Sequence, residues 1–332
     1  MFIVNSYTGA ILLCVITMLC WGSWGNTQKL AAATWRSELF YWDYVIGIVL
    51  MAFMFAFTLG SVGNEGRSFL NDIAQADSSN IKYAIISGIV FNLANILLIV
   101  AISIAGLSVA FPVGIGIALV WGVLDNYAKV PSGNFSIIVT GVILITIGIV
   151  VNAVAYKRLS SKTNKVSTKG LLISIVAGIL MAQFYGFIVQ GMTVNFTEPE
   201  VGKLTPYSAV VIFSLGVLVS NFLFNSVLMR FPAQGAPVTY AQYFSGHFKN
   251  HVVGIIGGAI WCIGMSFSII ASDKAGPAIS YGLGQGAVLI AALWGIFIWK
   301  EFKGAPAGTN KLLFVTITCF MVGLSLLVYS KL

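Results

Sequence analysis

Charged residues are scarce in this chain of 332 residues: they make up 8% of it, while hydrophobic residues make up 58%. A water-soluble surface cannot be assembled from so few charges, which excludes a soluble globular domain. The mean hydropathy is +0.94. Apolar runs of about twenty residues, the length of a membrane-spanning helix, recur along the chain. The sequence therefore predicts an integral membrane protein in contact with the lipid bilayer.

Residues and motifs that would carry enzyme chemistry are also rare. The two histidines lie at the cytoplasmic boundary of the eighth predicted span, and we expect none inside a span; the four cysteines have the spacing of neither a zinc site nor a disulfide framework. No G-x-x-x-x-G-K-[ST] motif is present, so nothing indicates an ATP-driven pump. We therefore predict no cofactor and no metal site. A membrane-embedded enzyme stays an alternative, but it would need a nucleophile, base or metal cluster.

Ten apolar blocks bounded by Gly, Pro or charged residues predict ten spanning helices and hence an all-α, multi-pass membrane protein. Their approximate bounds are 8–28, 40–60, 81–104, 108–127, 134–155, 170–191, 206–228, 251–271, 277–299 and 311–330.

Basic residues predict the orientation in the membrane. The loop 156–169 contains Lys157, Arg158, Lys162, Lys165 and Lys169 and no acidic residue. Because basic loops stay in the cytoplasm, both termini should lie outside the cell membrane. The net charge of +8 is then a topology signal, and we predict no nucleic-acid partner.

The two halves of the chain resemble each other. A shift of 170 places superposes Gly88 on Gly258 and Ala105-Gly106 on Ala275-Gly276. We expect a first five-helix repeat at 1–155, a cytoplasmic basic loop at 156–169 and a second five-helix repeat at 170–332. An odd number of spans per repeat makes the repeats inverted, which favours a secondary transporter that works by alternating access.

Polar groups in the middle of apolar spans are the best candidates for a substrate site, since a buried amide needs a partner. Asn92 and Asn95 lie one turn apart on the third span and could bind a neutral polar solute. The alternative is a clamp between helices without substrate contact.

The first span ends in Trp21-Gly-Ser-Trp24-Gly-Asn26. Its two indole rings face the same way and could stack on a sugar or planar heterocycle, with Asn26 at the solute's edge. Interfacial anchoring is the alternative role for these tryptophans. In the second half, Gln183, Tyr185 and Gln285 could complete a cavity between the repeats.

Asp43 opens the second span and is our candidate proton carrier, because a carboxylate in the membrane can bind a coupling proton. An interfacial ion pair with Lys29 or Arg36 is an equal alternative. Asp125 and Glu301, at the ends of two spans, are interpreted as interfacial caps. The segment 230–250 is expected to form a cytoplasmic surface helix.

The chain resembles the ureide permeases and, more distantly, the bacterial glucose/ribose and rhamnose porters of the drug/metabolite transporter superfamily. The resemblance covers nearly the whole length and lies in Gly22-Ser23-Trp24, Asp43-Tyr44, Ala56-Phe57-Thr58-Leu59-Gly60, Asn95, Gly106-Leu107-Ser108-Val109, Ala275-Gly276, Trp294-Gly295 and Glu301. It implies ten helices in two inverted repeats, with helices 5 and 10 peripheral and the others around a central cavity.

The same resemblance implies uptake of a small neutral polar solute, either a ureide or nucleobase or a sugar, usually together with protons. The short central loop and the Trp21-Gly-Ser-Trp24 sequence are more similar to the bacterial sugar porters. A multidrug exporter of the same superfamily is the alternative function, and it would favour a cavity with an accessible carboxylate.

Overall fold

The computed structural model describes residues 1–159 and 167–332, apart from the side chains of Leu107 and Ser108. Lys162 and Lys165 of the predicted basic loop lie outside the described residues. The described part is nearly all helical and contains ten helices that are long and apolar enough to cross a membrane. The prediction of an all-α membrane protein with ten spanning helices is confirmed.

We number the spanning helices α1 to α10, and each overlaps its predicted span. They are α1 (Tyr7–Gln28), α2 (Ser37–Phe57), α3 (Ser78–Ala105), α4 (Leu107–Lys129), α5 (Phe135–Leu159), α6 (Thr168–Gly191), α7 (Pro206–Arg230), α8 (Phe248–Ala275), α9 (Pro277–Ile298) and α10 (Thr309–Tyr329). Two short helices lie between spans, at Phe69–Gln75 and Tyr240–Phe244, and the second lies within the predicted surface segment.

Two of the spanning helices are irregular near the same end of the bundle. Helix α1 is interrupted at Trp24, after which a single turn runs from Gly25 to Gln28. Helix α9 ends in a π-helical turn, Trp294–Ile298, in which the Trp299 N–H donates to the Trp294 carbonyl at 2.9 Å. A π-turn adds one residue to the helical repeat and so turns the following side chains to a new direction. These two helix ends meet at the cavity described below.

Helix packing is compatible with an inverted repeat. Helix α1 packs on α8 as α6 packs on α3, and α2 packs on α8 as α7 packs on α3. Helices α5 and α10 mainly contact each other. Gly106 and Gly276, superposed by the shift of 170, both have positive φ, at +83° and +88°. Both begin the next helix, because glycine reaches this backbone conformation without steric cost.

Backbone and side-chain contacts between loops define two faces of the bundle. On the face that holds both termini, the Asp77 N–H donates to the Gly202 carbonyl at 2.9 Å. On the opposite face, the Arg36 guanidinium donates to the Gln234 carbonyl at 2.9 Å. We call these the terminal face and the opposite face.

The terminal face is cross-linked around one buried carboxylate. Asp72 is fully buried and accepts hydrogen bonds from Arg67 at 3.0 Å and from the Thr205 N–H at 2.7 Å. Arg67 also donates to the carbonyls of Pro199 and Glu200. Because Arg67 and Asp72 come from the first half and the other residues from the second, this network holds the halves together on the terminal face.

Candidate functional site

A central cavity of about 410 Å³ lies between the two halves of the chain. Its volume falls in the range of small-molecule sites, which is about 300 to 1,000 Å³. Helices α1, α3, α4 and α5 line it from the first half, and α6, α8 and α9 from the second. The aromatic lining residues are Trp21, Trp24, Phe91, Phe111, Tyr156, Phe184, Trp261 and Trp299.

Buried members of this aromatic set close the inner end of the cavity. Phe91, Phe184 and Trp261 are buried, and the rings of Phe91 and Trp261 lie 4.4 Å apart. Trp21 stacks on Trp261 with an interplanar angle of 15° and donates its indole N–H to the Trp261 carbonyl at 3.2 Å. Trp24 packs on Tyr44 of α2 with 4.6 Å between ring centroids. Both predicted tryptophans therefore line the cavity, and packing against other aromatic rings fixes their positions.

Two of the predicted amides line the cavity with hydrogen-bonding capacity left over. The Asn95 Nδ2 donates to the Tyr41 hydroxyl at 3.1 Å, and its Oδ1 accepts no hydrogen bond from the described residues. The side chain of Gln285 has no hydrogen-bond partner in the part of the chain that the structure describes. A solute in the cavity can therefore accept from and donate to these groups.

Asn92 does not line the cavity and is a clamp between helices. Its Oδ1 accepts from the Tyr41 hydroxyl at 2.9 Å, and its Nδ2 donates to Ser220 Oγ at 2.9 Å and to the Val217 carbonyl at 3.3 Å. The side chain is fully buried. Asn92 is thus connected to Asn95 through Tyr41, which also accepts the hydrogen bond from Asn95.

The two predicted residues of α6 also lie away from the cavity. Tyr185 is fully buried, and its hydroxyl forms hydrogen bonds with the Ser268 side chain at 3.0 Å and with Ser280 at 3.4 Å. Gln183 is half-buried and does not line the cavity. On the same helix, Met181 and Phe184 are the residues that line it.

Asn26 lines the cavity and positions an aromatic ring there. Its Oδ1 accepts a hydrogen bond from the Trp299 indole N–H at 2.6 Å, and its Nδ2 donates to the Ser23 carbonyl at 3.2 Å. One turn earlier, Ser23 accepts from the Trp294 indole N–H at 2.9 Å. The end of α1 is thereby joined side by side to the end of α9.

Sequence reasoning missed an ion pair in the cavity. Lys29 Nζ lies 2.8 Å from Glu301 Oε1, and both residues line the cavity. Their side chains are 45% and 32% exposed, so the cavity is open at this end, on the opposite face. Glu301, interpreted from the sequence as an interfacial cap, lies just after the end of α9 and also lines the cavity. A sequence signal for this pair did exist, because residues of opposite charge follow α1 and α9. The π-turn that directs Glu301 inward, however, has no recognisable sequence motif.

Asp43 lies outside the cavity and is paired with neither Lys29 nor Arg36. Its Oδ1 accepts from the Tyr243 hydroxyl at 2.7 Å and lies 2.8 Å from His251 Nδ1. Its Oδ2 is buried without a partner among the described residues. Arg36 instead binds Glu38. His251 lies in the first turn of α8, so the expectation that no histidine lies in a span is also wrong.

The surface helix Tyr240–Phe244 closes over this carboxylate. The ring of His251 contacts Tyr243 and Trp35 edge-on, with centroid distances of 4.9 Å and 5.1 Å. Burial, together with the hydrogen bond to Asp43, raises the pKa of Tyr243 above its ordinary value. Tyr243 therefore stays protonated at neutral pH and remains a hydrogen-bond donor to Asp43.

Comparisons with known proteins agree with this architecture. The model of a family described as "Sugar transport protein" matches residues 12–329. Ureide permease 2 of Arabidopsis thaliana is 22% identical, covering 100% of this chain and 99% of that protein. Glucose uptake protein GlcU of Bacillus subtilis is 25% identical over 66% of this chain and 69% of that protein. A solved crystal structure has the same fold, with a TM-score of 0.61 at 14% identity over 96% of both chains.

Proposed function

Because the chain belongs to the sugar transport protein family, we propose that it is a secondary transporter that imports a small neutral polar metabolite through the central cavity. The chain is a multi-pass membrane transport protein and not an enzyme. The relatives that it matches are likewise transport proteins. The proposed substrate is a ureide, as in the name of the plant relatives, or a sugar, as in the name of the glucose uptake proteins, and we keep a nucleobase as a further candidate.

The observation that carries the proposal is a pair of amide side chains beside aromatic walls, each with hydrogen-bonding groups that have no partner among the described residues. Asn95 and Gln285 come from different halves and line the same cavity. An amide both donates and accepts, which suits the alternating N–H and C=O groups of a ureide or the hydroxyls of a sugar. The aromatic side chains of the lining, Trp24 among them, offer an apolar surface for a planar ring or for the C–H face of a sugar.

Alternating access is the proposed mechanism. We propose that residues 1–155 and 170–332 are the two inverted repeats and that they rock about the cavity between them. In the described conformation the cavity reaches the opposite face, while the network around Asp72 joins the halves on the terminal face. This is the arrangement expected of a state open to one side only.

Proton coupling is proposed to use Asp43, with His251 as its partner. A carboxylate and an imidazole are both proton-binding groups, and Asp43 Oδ1 and His251 Nδ1 lie 2.8 Å apart where α2 and α8 begin. Protonation of this pair would change its contact with Tyr243 and the surface helix, which offers a physical link between proton binding and helix movement. We further propose that the protein resides in the cell membrane with both termini outside, because its basic residues favour that orientation.

Uptake by cells that express the chain tests the function. Radiolabelled allantoin, uracil and glucose are offered separately, with vector-only cells as the control, and ethidium efflux is measured in the same cells. Saturable uptake of one neutral solute, with ethidium efflux unchanged, supports import. Ethidium efflux without uptake of any neutral solute would contradict the proposed import and favour multidrug export instead.

A further inference from the structure

Two opposite charges lie at the solvent-facing end of the cavity. Lys29 and Glu301 are the charged residues that line it within residues 1–159 and 167–332. Their charged groups are 2.8 Å apart. The remaining lining residues are uncharged: aromatic, aliphatic, glycine, amide and Met181. The net charge presented to a solute therefore depends on whether this single pair is complete.

The pair is held in place by other residues of the cavity. The Tyr156 hydroxyl donates to Glu301 Oε2 at 3.0 Å, while Lys29 binds Oε1, so both carboxylate oxygens are engaged. Lys29 Nζ lies 4.6 Å from the centroid of the Trp299 ring, whose N–H is bound by Asn26. The Glu301 N–H donates to the Gly295 carbonyl at 2.9 Å, which fixes the backbone after the π-turn.

Folding stability alone does not account for such a pair. Both side chains are substantially exposed, and exposed ion pairs contribute little to stability because water screens them and their long side chains lose entropy. Inside a narrow cavity with apolar walls, however, a single uncompensated charge produces a strong local field, since low-dielectric walls focus it. The pair thus matters more for what enters the cavity than for folding.

We propose that the Lys29–Glu301 pair is the charge-selectivity element of the cavity, cancelling its field so that uncharged solutes enter and charged ones are rejected. A charged solute would lose its hydration in the cavity and would find no unpaired opposite charge there to offset this loss. Removing Glu301 leaves the Lys29 ammonium, which attracts anions. Removing Lys29 leaves the carboxylate, which attracts cations. This inference rests on the proposed function in taking the cavity as the substrate site.

Quenching of tryptophan fluorescence tests the field without knowledge of the substrate. Trp21, Trp24, Trp261 and Trp299 line the cavity, and the other tryptophans give a background shared by all variants. Purified protein in phosphatidylethanolamine/phosphatidylglycerol vesicles is titrated with acrylamide, iodide and caesium. For Glu301→Gln we expect the ratio of iodide quenching to acrylamide quenching to rise by about twofold, because the carboxylate that repels iodide has been removed. Lys29→Gln should raise caesium quenching instead.

Two variants control this measurement. The exchange Lys29→Glu with Glu301→Lys restores a neutral pair and should return both ion ratios to the wild-type values. Asp125→Asn removes one partner of the Asp125–Lys129 ion pair, which does not line the cavity, and should change neither ratio. Equal iodide and caesium ratios in wild type, Glu301→Gln and Lys29→Gln would overturn the proposal, whether or not any solute is transported.

Competition measures the consequence for selectivity. Counterflow at zero membrane potential is followed with labelled glucose, or with labelled uracil if that is the solute transported. Unlabelled glucuronate and glucosamine compete for glucose, and orotate competes for uracil. Glu301→Gln should improve competition by glucuronate or orotate relative to the neutral parent by about tenfold, equivalent to about 1.4 kcal/mol. A changed quenching ratio with unchanged competition would refute the role in selectivity. Wild-type protein that transports no neutral solute, yet shows the quenching shifts, would refute the proposed function alone.

Discussion

Gly88 and Gly258 occupy corresponding places in the two halves, and each lies against the backbone of a helix from the other half. A Cβ atom on Gly88 would collide with the Phe213 carbonyl oxygen of α7, and one on Gly258 would collide with the Tyr44 carbonyl oxygen of α2. Each contact joins one helix of the first half to one of the second. Gly88 and Gly258, which align in the sequence, thus allow helices from the two halves to approach each other closely.

Gly258→Ala should destabilise the protein. The added methyl group has no space beside the Tyr44 carbonyl, and overpacking of this kind costs about 1–3 kcal/mol. Thermal unfolding followed by fluorescence-detected gel filtration should show a lower midpoint for this variant. Gly116→Ala is the matched control, because nothing lies within 4 Å of the added Cβ. Equal midpoints for the two variants would mean that the helices can separate without cost.

Asn95→Leu should weaken substrate binding. The substitution removes the free amide oxygen from the cavity and leaves a solute group unpaired at a cost of about 1–3 kcal/mol, a loss of about 5- to 150-fold in affinity. Equilibrium binding to purified protein measures it. Gln183→Leu, in which an amide outside the cavity is lost, should bind as wild type does. Unchanged affinity for Asn95→Leu would show that the substrate site lies elsewhere.

Asn92→Leu should lower stability more than Gln183→Leu does. It leaves Ser220 and the Val217 carbonyl without their amide donor and the buried Tyr41 hydroxyl without its acceptor, each loss costing about 1–3 kcal/mol. We expect a reduced melting temperature in detergent. Affinity should fall less than for Asn95→Leu at a temperature where the variant is folded. The reverse order of affinities would place Asn92 in direct contact with the solute.

Asp43→Asn should separate accumulation from exchange. The amide cannot release or bind a coupling proton, so uptake driven by a pH gradient should be lost while counterflow of substrate persists. Proteoliposomes allow both to be measured, with Asp125→Asn as a control that retains both activities. Loss of expression and of exchange together would mean that Asp43 only holds the helix ends through Tyr243 and His251. Accumulation that survives and still collapses with a protonophore would move the coupling group elsewhere.

Cysteine labelling should establish the orientation. Asn64 is exposed on the terminal face and Lys303 on the opposite face. A membrane-impermeant maleimide added to intact cells should label Asn64→Cys, but should label Lys303→Cys only after permeabilisation. The four native cysteines lie within spanning helices, which keeps the background low. Labelling of Lys303→Cys in intact cells would reverse the assignment.

The sequence by itself determined the membrane class, the number of spanning helices and their bounds to within a few residues. These follow from local physics, because a helix in lipid must satisfy its own backbone hydrogen bonds and present apolar side chains over the thickness of the bilayer. Depth in the membrane is also a property of position along one helix. Depth along the predicted spans was therefore enough to select Trp21, Trp24, Asn26, Asn95 and Gln285 as candidates, and all of them line the cavity.

Only the tertiary structure decided which side of a helix meets the cavity. Asn92 and Asn95 lie one turn apart at similar depth. The Asn92 side chain is fully hydrogen-bonded to Tyr41, Ser220 and the Val217 carbonyl, whereas Asn95 lines the cavity. Their difference arises from neighbouring helices that are distant in the sequence. The same holds for Lys29 with Glu301 and for Asp43 with His251, which are paired across more than two hundred residues. Charge partners depend on helix rotation and on the π-turn of α9, and neither leaves a periodic signal in the sequence.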